Sequence, residues 1–195
     1  MKGFVRAFVA LELPAEIQSR LNEIISHLKR DLDGLPMRWV KPENIHLTLK
    51  FIGDLAEEQT QEVSHLVETE AKGQKPFEVA LSKLGVFPDV RRPRVLWVGL
   101  HAPHALPDFQ QRLEQGLGAM GYEREQRRFS PHLTMARFKR SLNRAGLDAL
   151  RSSLERTNLN PSGGIVDSIT LFKSELKPDG PVYNRLVQFK LEGPT

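Results

Sequence analysis

Two short stretches of this chain carry the residue types of acid–base chemistry, and they match each other. One reads His46-Leu47-Thr48-Leu49 and the other His132-Leu133-Thr134-Met135. Both are apolar enough to be strands, in which successive side chains alternate between faces. His46 and Thr48 then share one face, with Leu47, Leu49 and Phe51 directed into a core. His132 and Thr134 likewise share a face, opposite Leu133 and Met135. An imidazole titrates near pH ~6.5, so one ring can hold a proton while the other is free to accept one. Placed on opposite sides of a phosphorus atom, such a pair suits in-line displacement. The neutral ring takes a proton from the attacking oxygen, and the charged ring gives one to the leaving oxygen. Each transfer is typically worth about 10²–10⁴ in rate. The threonine hydroxyls suit the non-bridging oxygens that gain charge.

A cation beside the phosphate would complete this set. Arg137 is the first candidate, five residues beyond His132. Strict alternation puts it on the opposite face from the histidine, so it reaches the site only if the strand ends or bulges near Ala136. Lys50 has the better parity with His46. A metal is not called for: the two histidines are remote in sequence, and no cysteine or carboxylate pattern completes a ligand set. His27, His65, His101 and His104 have no matching context and read as surface or structural residues.

The elements that must hold these residues recur in order. Val5–Leu13 reads as a strand, Ala15–Leu32 as an amphipathic helix, and Met37–Val40 and Ile45–Gly53 as strands joined by the turn at 41–44. A helix over Glu57–Ala71 and a strand over Phe77–Phe87 follow. In the second half Arg94–Leu100 is strand-like, Leu106–Met120 helical, and Phe129–Phe138 contains a strand. Leu142–Leu154 is a helix, Gly164–Ser174 a strand after the break at Pro161-Ser162-Gly163, and Val182–Leu191 a last strand after the turn Pro178-Asp179-Gly180-Pro181. The repeated order marks an internal duplication, roughly 1–90 and 91–195. The expected fold is α+β: one bilobal domain over residues 1–195, made of two pseudo-symmetric antiparallel sheets with helices outside and a cleft between.

The chain has 195 residues and no cysteine, so disulfides, thiolate metal sites and cysteine nucleophiles are out, which fits a reducing, cytoplasmic setting. No apolar run approaches the ~20 residues of a membrane span. Arg6 and Glu12 interrupt the stretch that a signal peptide would need. The net charge of +4 is unevenly spread: residues 91–144 carry eleven Lys/Arg and four Asp/Glu, a local +7. Such a segment suits a polyanion. Arg91, Arg92, Arg94, Arg127, Arg128, Lys139 and Arg140 are candidates for a nucleic-acid backbone track. Aromatics are only 7%, too few for a broad base-stacking platform. Trp39 and Trp97 read as core, and Phe129 as either a stacking ring or a support for its strand. No glycine-rich phosphate loop is present, which disfavours ATP-dependent ligation.

His46-Leu47-Thr48-Leu49-Lys50-Phe51-Ile52-Gly53 and Phe129-Ser130-Pro131-His132-Leu133-Thr134-Met135-Ala136-Arg137 resemble the paired motifs of the two-histidine phosphoesterases. The start, Arg6 to Pro14, is similar to the RNA 2′,3′-cyclic phosphodiesterase branch, also called 2′-5′ RNA ligase or LigT-like. That resemblance implies opening of a 2′,3′-cyclic phosphate at an RNA end to leave a 2′-phosphomonoester, without cofactor or metal. It makes His46 the proton donor to the departing 3′-oxygen and His132 the acceptor that activates water. Thr48, Thr134 and Arg137 carry over as phosphate contacts. Some relatives also join RNA ends through a 2′-5′ linkage. Met135 stands where the pattern has Leu, a swap that nearly conserves volume. The rival expectations are a hydrolase of small cyclic nucleotides or ADP-ribose cyclic phosphate, and a non-catalytic RNA-binding module. A monomer without a protein partner or membrane association is expected.

Overall fold

A computed structural model describes residues 3–159, 162–178 and 180–193. The break at Pro161 and the turn residue Asp179 lie outside the described residues. The chain runs β1 (Phe4–Leu11), α1 (Ala15–Asp31), β2 (Met37–Trp39), β3 (Leu47–Ala56), α2 (Thr60–Lys72), β4 (Phe77–Phe87) and β5 (Val95–His101). It continues with α3 (Ala105–Ala119), β6 (His132–Phe138), α4 (Arg144–Arg156), β7 (Gly163–Val166), β8 (Ser168–Lys177) and β9 (Gly180–Lys190). Short 3₁₀ turns at Pro42–Asn44 and Glu57–Gln59 lead into β3 and α2.

Two antiparallel sheets form, in strand orders β3-β1-β8-β9 and β2-β6-β5-β4-β7. The duplication expected from the sequence is visible here as an exchange. Each half contributes two neighbouring strands to its own sheet, β3 and β1 or β6 and β5. The third strand crosses over: β4 joins β5 in the second sheet, and β8 joins β1 in the first. The helices cross as well, since α1 packs beside β7 and α4, whereas α3 packs on β3 and α2.

The run read as one strand over Gly164–Ser174 is two strands in different sheets. It divides at Asp167, the polar residue between Val166 and Ser168. Val166 is buried on the second sheet and Ile169 on the first, so one apolar run serves both sheets around a shared core. The helices supply the apolar stripes expected: Ile17, Leu21, Ile24, Ile25 and Leu28 of α1 are all buried, as are Phe109, Leu113 and Leu117 of α3. Each sheet therefore has a helix-covered face, and the opposite faces carry the candidate chemistry.

Candidate active site

Both motifs contain a bulge at the same place. In β3, Ala10 pairs with Thr48 and Val9 with Lys50, leaving Leu49 as the extra residue. In β6, Trp97 pairs with Thr134 and Leu96 with Ala136, leaving Met135 extra. One inserted residue reverses the parity of everything after it. Leu49 and Lys50 are consecutively buried, and so are Met135 and Ala136. Arg137 consequently emerges, exposed, on the face of His132 and Thr134, because it pairs with Val95 while those two pair with Gly99 and Trp97. The condition set by the sequence for Arg137 is met.

The same shift overturns two expectations at the first motif. Phe51, read as core, is 69% exposed and packs against Phe8, while Lys50, read as facing outward with His46, is 3% exposed. Lys50 Nζ donates to Glu114 Oε2 at 2.7 Å and to the Glu123 carbonyl. Beside them, Gln110 Nε2 donates to the Leu49 carbonyl at 3.2 Å and to Glu114 Oε1 at 3.2 Å. The corresponding bulge carbonyl in β6, that of Met135, accepts from the Val40 amide at 2.8 Å. β3 is an edge strand with no such neighbour. Side chains from α3 take over the role that a strand plays in the other half.

Each histidine sits against a phenylalanine from the exchanged strand. His46, immediately before β3, lies 4.6 Å from Phe172 of β8 by ring centroids, with Tyr183 at 5.9 Å and Phe8 at 6.4 Å. His132 lies 5.0 Å from Phe87 of β4 and 6.3 Å from Trp97. Trp97 thus belongs to the site face, not to the core as read from sequence. Its ring lies over Gly85, the residue opposite it in β4, where a Cβ would come within 2.3 Å of the indole. Trp39 and Phe129 do pack on the core. Phe87 and Phe172 were missed entirely. The available signal was spacing: they fall 41 and 40 positions after the histidine of their own half, yet each contacts the histidine of the other.

Tyr183 of β9 packs at the first site face, within the electrostatic reach of the second. It touches His46, while the guanidinium of Arg137, from β6, acts on its phenol together with that of Arg6. Burial pushes that phenol up, and the two cations oppose the shift. Beside His46 an open cavity of about 350 Å³ is lined by Glu43, His46, Phe172, Tyr183, Asn184 and Arg185. Glu12 anchors its rim, accepting from Thr170 Oγ1 at 2.8 Å, Gln188 Nε2 at 2.9 Å and Arg185 Nη2 at 2.5 Å. The exposed cations Arg91, Arg92, Arg94, Arg127, Arg128, Lys139 and Arg140 lie outside this cavity lining, and His27, His65, His101 and His104 are at the surface.

The rings differ electrostatically. His132 Nδ1 lies 2.7 Å from the Ser130 carbonyl. A carbonyl only accepts, so Nδ1 carries the hydrogen and the neutral ring keeps its lone pair on Nε2. His46 Nδ1 is buried without a hydrogen bond of good geometry. Burial lowers the His46 pKa from its ordinary 6.5, opposed by the Asn44 backbone and by Glu12 and reinforced by Arg185. We expect His46 to titrate below 6.5 in an NMR titration of the free protein. The unfolded chain then binds this proton more readily, so the contribution is complete above pH ~6.5 and is lost as pH falls toward the folded pKa. The urea midpoint should drop less between pH 7.5 and pH 5.5 in His46→Gln than in the parent, each pH being about one unit from that value. An equal drop would contradict this.

The family model for LigT like phosphoesterases matches the chain twice, over residues 11–97 and 99–183. One match contains His46 and the other His132. A protein of Methanothermobacter thermautotrophicus named RNA 2′,3′-cyclic phosphodiesterase is 35% identical over 187 residues, covering 96% of this chain and 99% of its own. One of that name from Aquifex aeolicus is 34% identical over 192 residues, covering 97% and 98%. Among solved structures, TT0787 of Thermus thermophilus superimposes with a TM-score of 0.79 at 28% identity, covering 97% of this chain and all (100%) of that one. E. coli LigT complexed with 3′-AMP does so at 0.74 and 26%, covering 97% and 99%.

Proposed function

The chain belongs to the LigT-like phosphoesterase family, and from that premise we propose that it is an RNA 2′,3′-cyclic phosphodiesterase working by two-histidine acid–base catalysis. Relatives bearing that name align over nearly their whole length. The observation that carries the mechanism is the matched bulge, which puts His132, Thr134 and Arg137 on one face of β6 and leaves Thr48 beside Phe51 on β3.

In this reading water attacks the phosphorus of the cyclic phosphate. Its proton passes to Nε2 of His132, the nitrogen left free by the Ser130 carbonyl. The bond from phosphorus to the 3′-oxygen breaks, and protonated His46 supplies that oxygen with its proton. A 2′-phosphomonoester and a free 3′-hydroxyl result. A buried, low-pKa imidazole gives up its proton readily, which suits the donor role. Thr48 and Thr134 hydrogen-bond the non-bridging oxygens, and Arg137 balances their charge. No step requires a metal. With a ribose hydroxyl in place of water, the same displacement joins two RNA ends through a 2′-5′ linkage.

The deciding experiment incubates the protein, in EDTA, with an oligonucleotide ending in a 2′,3′-cyclic phosphate and separately with a mononucleoside 2′,3′-cyclic phosphate. Conversion of the oligonucleotide to a 2′-phosphate end is expected. Turnover of the mononucleotide alone would favour the small-molecule hydrolase, and binding without turnover the RNA-binding module.

A further inference from the structure

Arg38 was not among the basic residues singled out from sequence, but the sheet puts it beside the site. It is the central residue of β2 and pairs directly with Arg137 of β6. Its neighbours Met37 and Trp39 pack on the core, so Arg38 points the other way and is exposed. Directly paired residues of antiparallel strands share a face, which here is the face of His132, Thr134 and Arg137.

Two arginines in this relation repel each other, and like charges directly opposite destabilise a sheet. Elsewhere in the chain the structure matches arginine with carboxylate: Arg20 with Glu23, Arg112 with Glu70, Arg156 with Asp31 and Arg185 with Glu12. Among the described residues neither Arg38 nor Arg137 forms an ion pair with a carboxylate. The pair is left open to anions, and its Cα atoms are about 4.5–5.5 Å apart, as such partners are. Two long side chains rooted that close can fork onto neighbouring phosphates of one strand.

We propose that Arg38 and Arg137 form a tandem cation site for consecutive phosphates of single-stranded RNA, Arg137 taking the terminal cyclic phosphate and Arg38 the phosphodiester preceding it. This rests on the reading of the chain as an RNA-end phosphodiesterase and adds what distinguishes an RNA end from a lone nucleotide. A mononucleoside cyclic phosphate has no group for Arg38. A dinucleotide ending in a cyclic phosphate has one.

The test compares kcat/KM on those two substrates for the parent, Arg38→Ala and a control, Arg151→Ala, on the outer surface of α4. Arg38→Ala should lose roughly tenfold on the dinucleotide, the loss of one charged hydrogen-bonding contact, and less than about twofold on the mononucleotide. The dependence of log kcat/KM on log salt for the dinucleotide should flatten by about 0.7, one phosphate's share on a single strand. The control should change neither. Equal losses on both substrates, or none on either, would overturn the assignment. If the parent turns over neither substrate, the catalytic reading fails by itself. The subsite is then judged by titrating a dinucleotide 3′-phosphate against a mononucleoside 3′-phosphate: selective weakening of the longer ligand in Arg38→Ala supports it, and equal affinities for parent and variant overturn it.

Discussion

Replacing His46 or His132 by alanine is expected to lower kcat/KM on cyclic-phosphate RNA by about 10²–10⁴ each, the usual worth of one positioned proton transfer. The double variant should fall far short of the product of the two losses, because in the proposed mechanism both groups act in one displacement. The folded state should survive at both positions, though for different reasons. His132 is partly exposed, and among the described residues its ring hydrogen-bonds only the Ser130 carbonyl two residues away. His46 is packed among Phe8, Phe172 and Tyr183, so its truncation opens a gap, and His46→Gln serves as the fuller replacement. Initial rates together with circular dichroism and thermal melts check this. A folded single variant within a few-fold of parental turnover would sink the two-histidine assignment.

The second large effect belongs to Lys50. Changing it to methionine leaves the Glu114 carboxylate buried with its cation gone, and the Glu123 carbonyl without its donor. Breaking one side of a buried pair typically costs about 3–5 kcal/mol, far more than a surface pair. Urea unfolding at pH 7 should show a loss of that order. Adding Glu114→Gln to Lys50→Met removes the stranded charge, keeps a group able to accept from Gln110, and should recover most of the loss. Activity should fall in Lys50→Met even where the chain is folded, because the pair braces the bulge that sets Thr48 and Phe51 on the site face. A cost below about 1 kcal/mol, the range of exposed pairs, would mean that the pair does not brace the bulge.

Element order, the α1 and α3 stripes, the duplication and both histidine–threonine pairs were legible because each follows from local periodicity or from a repeated string. What failed was parity beyond a bulge. Alternation placed Phe51 inward and Lys50 outward, and the extra residue Leu49 reverses both. The clue was present in the comparison of Lys50-Phe51 with Ala136-Arg137, since a bulge needed by Arg137 in one copy implies one in the other. The crossover at Asp167 was invisible for another reason: two strands joined without a turn look like one. Trp97 read as core, and Phe87 and Phe172 drew no reading beyond their strands, because an aromatic ring packed against imidazole and one packed against leucine leave the same hydrophobic trace in a sequence.

The crossed strands make the two halves of the chain interdependent. Pulling the two halves of the chain apart, 1–90 from 91–195, would mean unzipping β1 from β8 within one sheet and β4 from β5 within the other. It would also pull Phe87 from His132 and Phe172 from His46. Each half thus completes the other: neither imidazole has its phenylalanine neighbour unless the opposite half is folded against it.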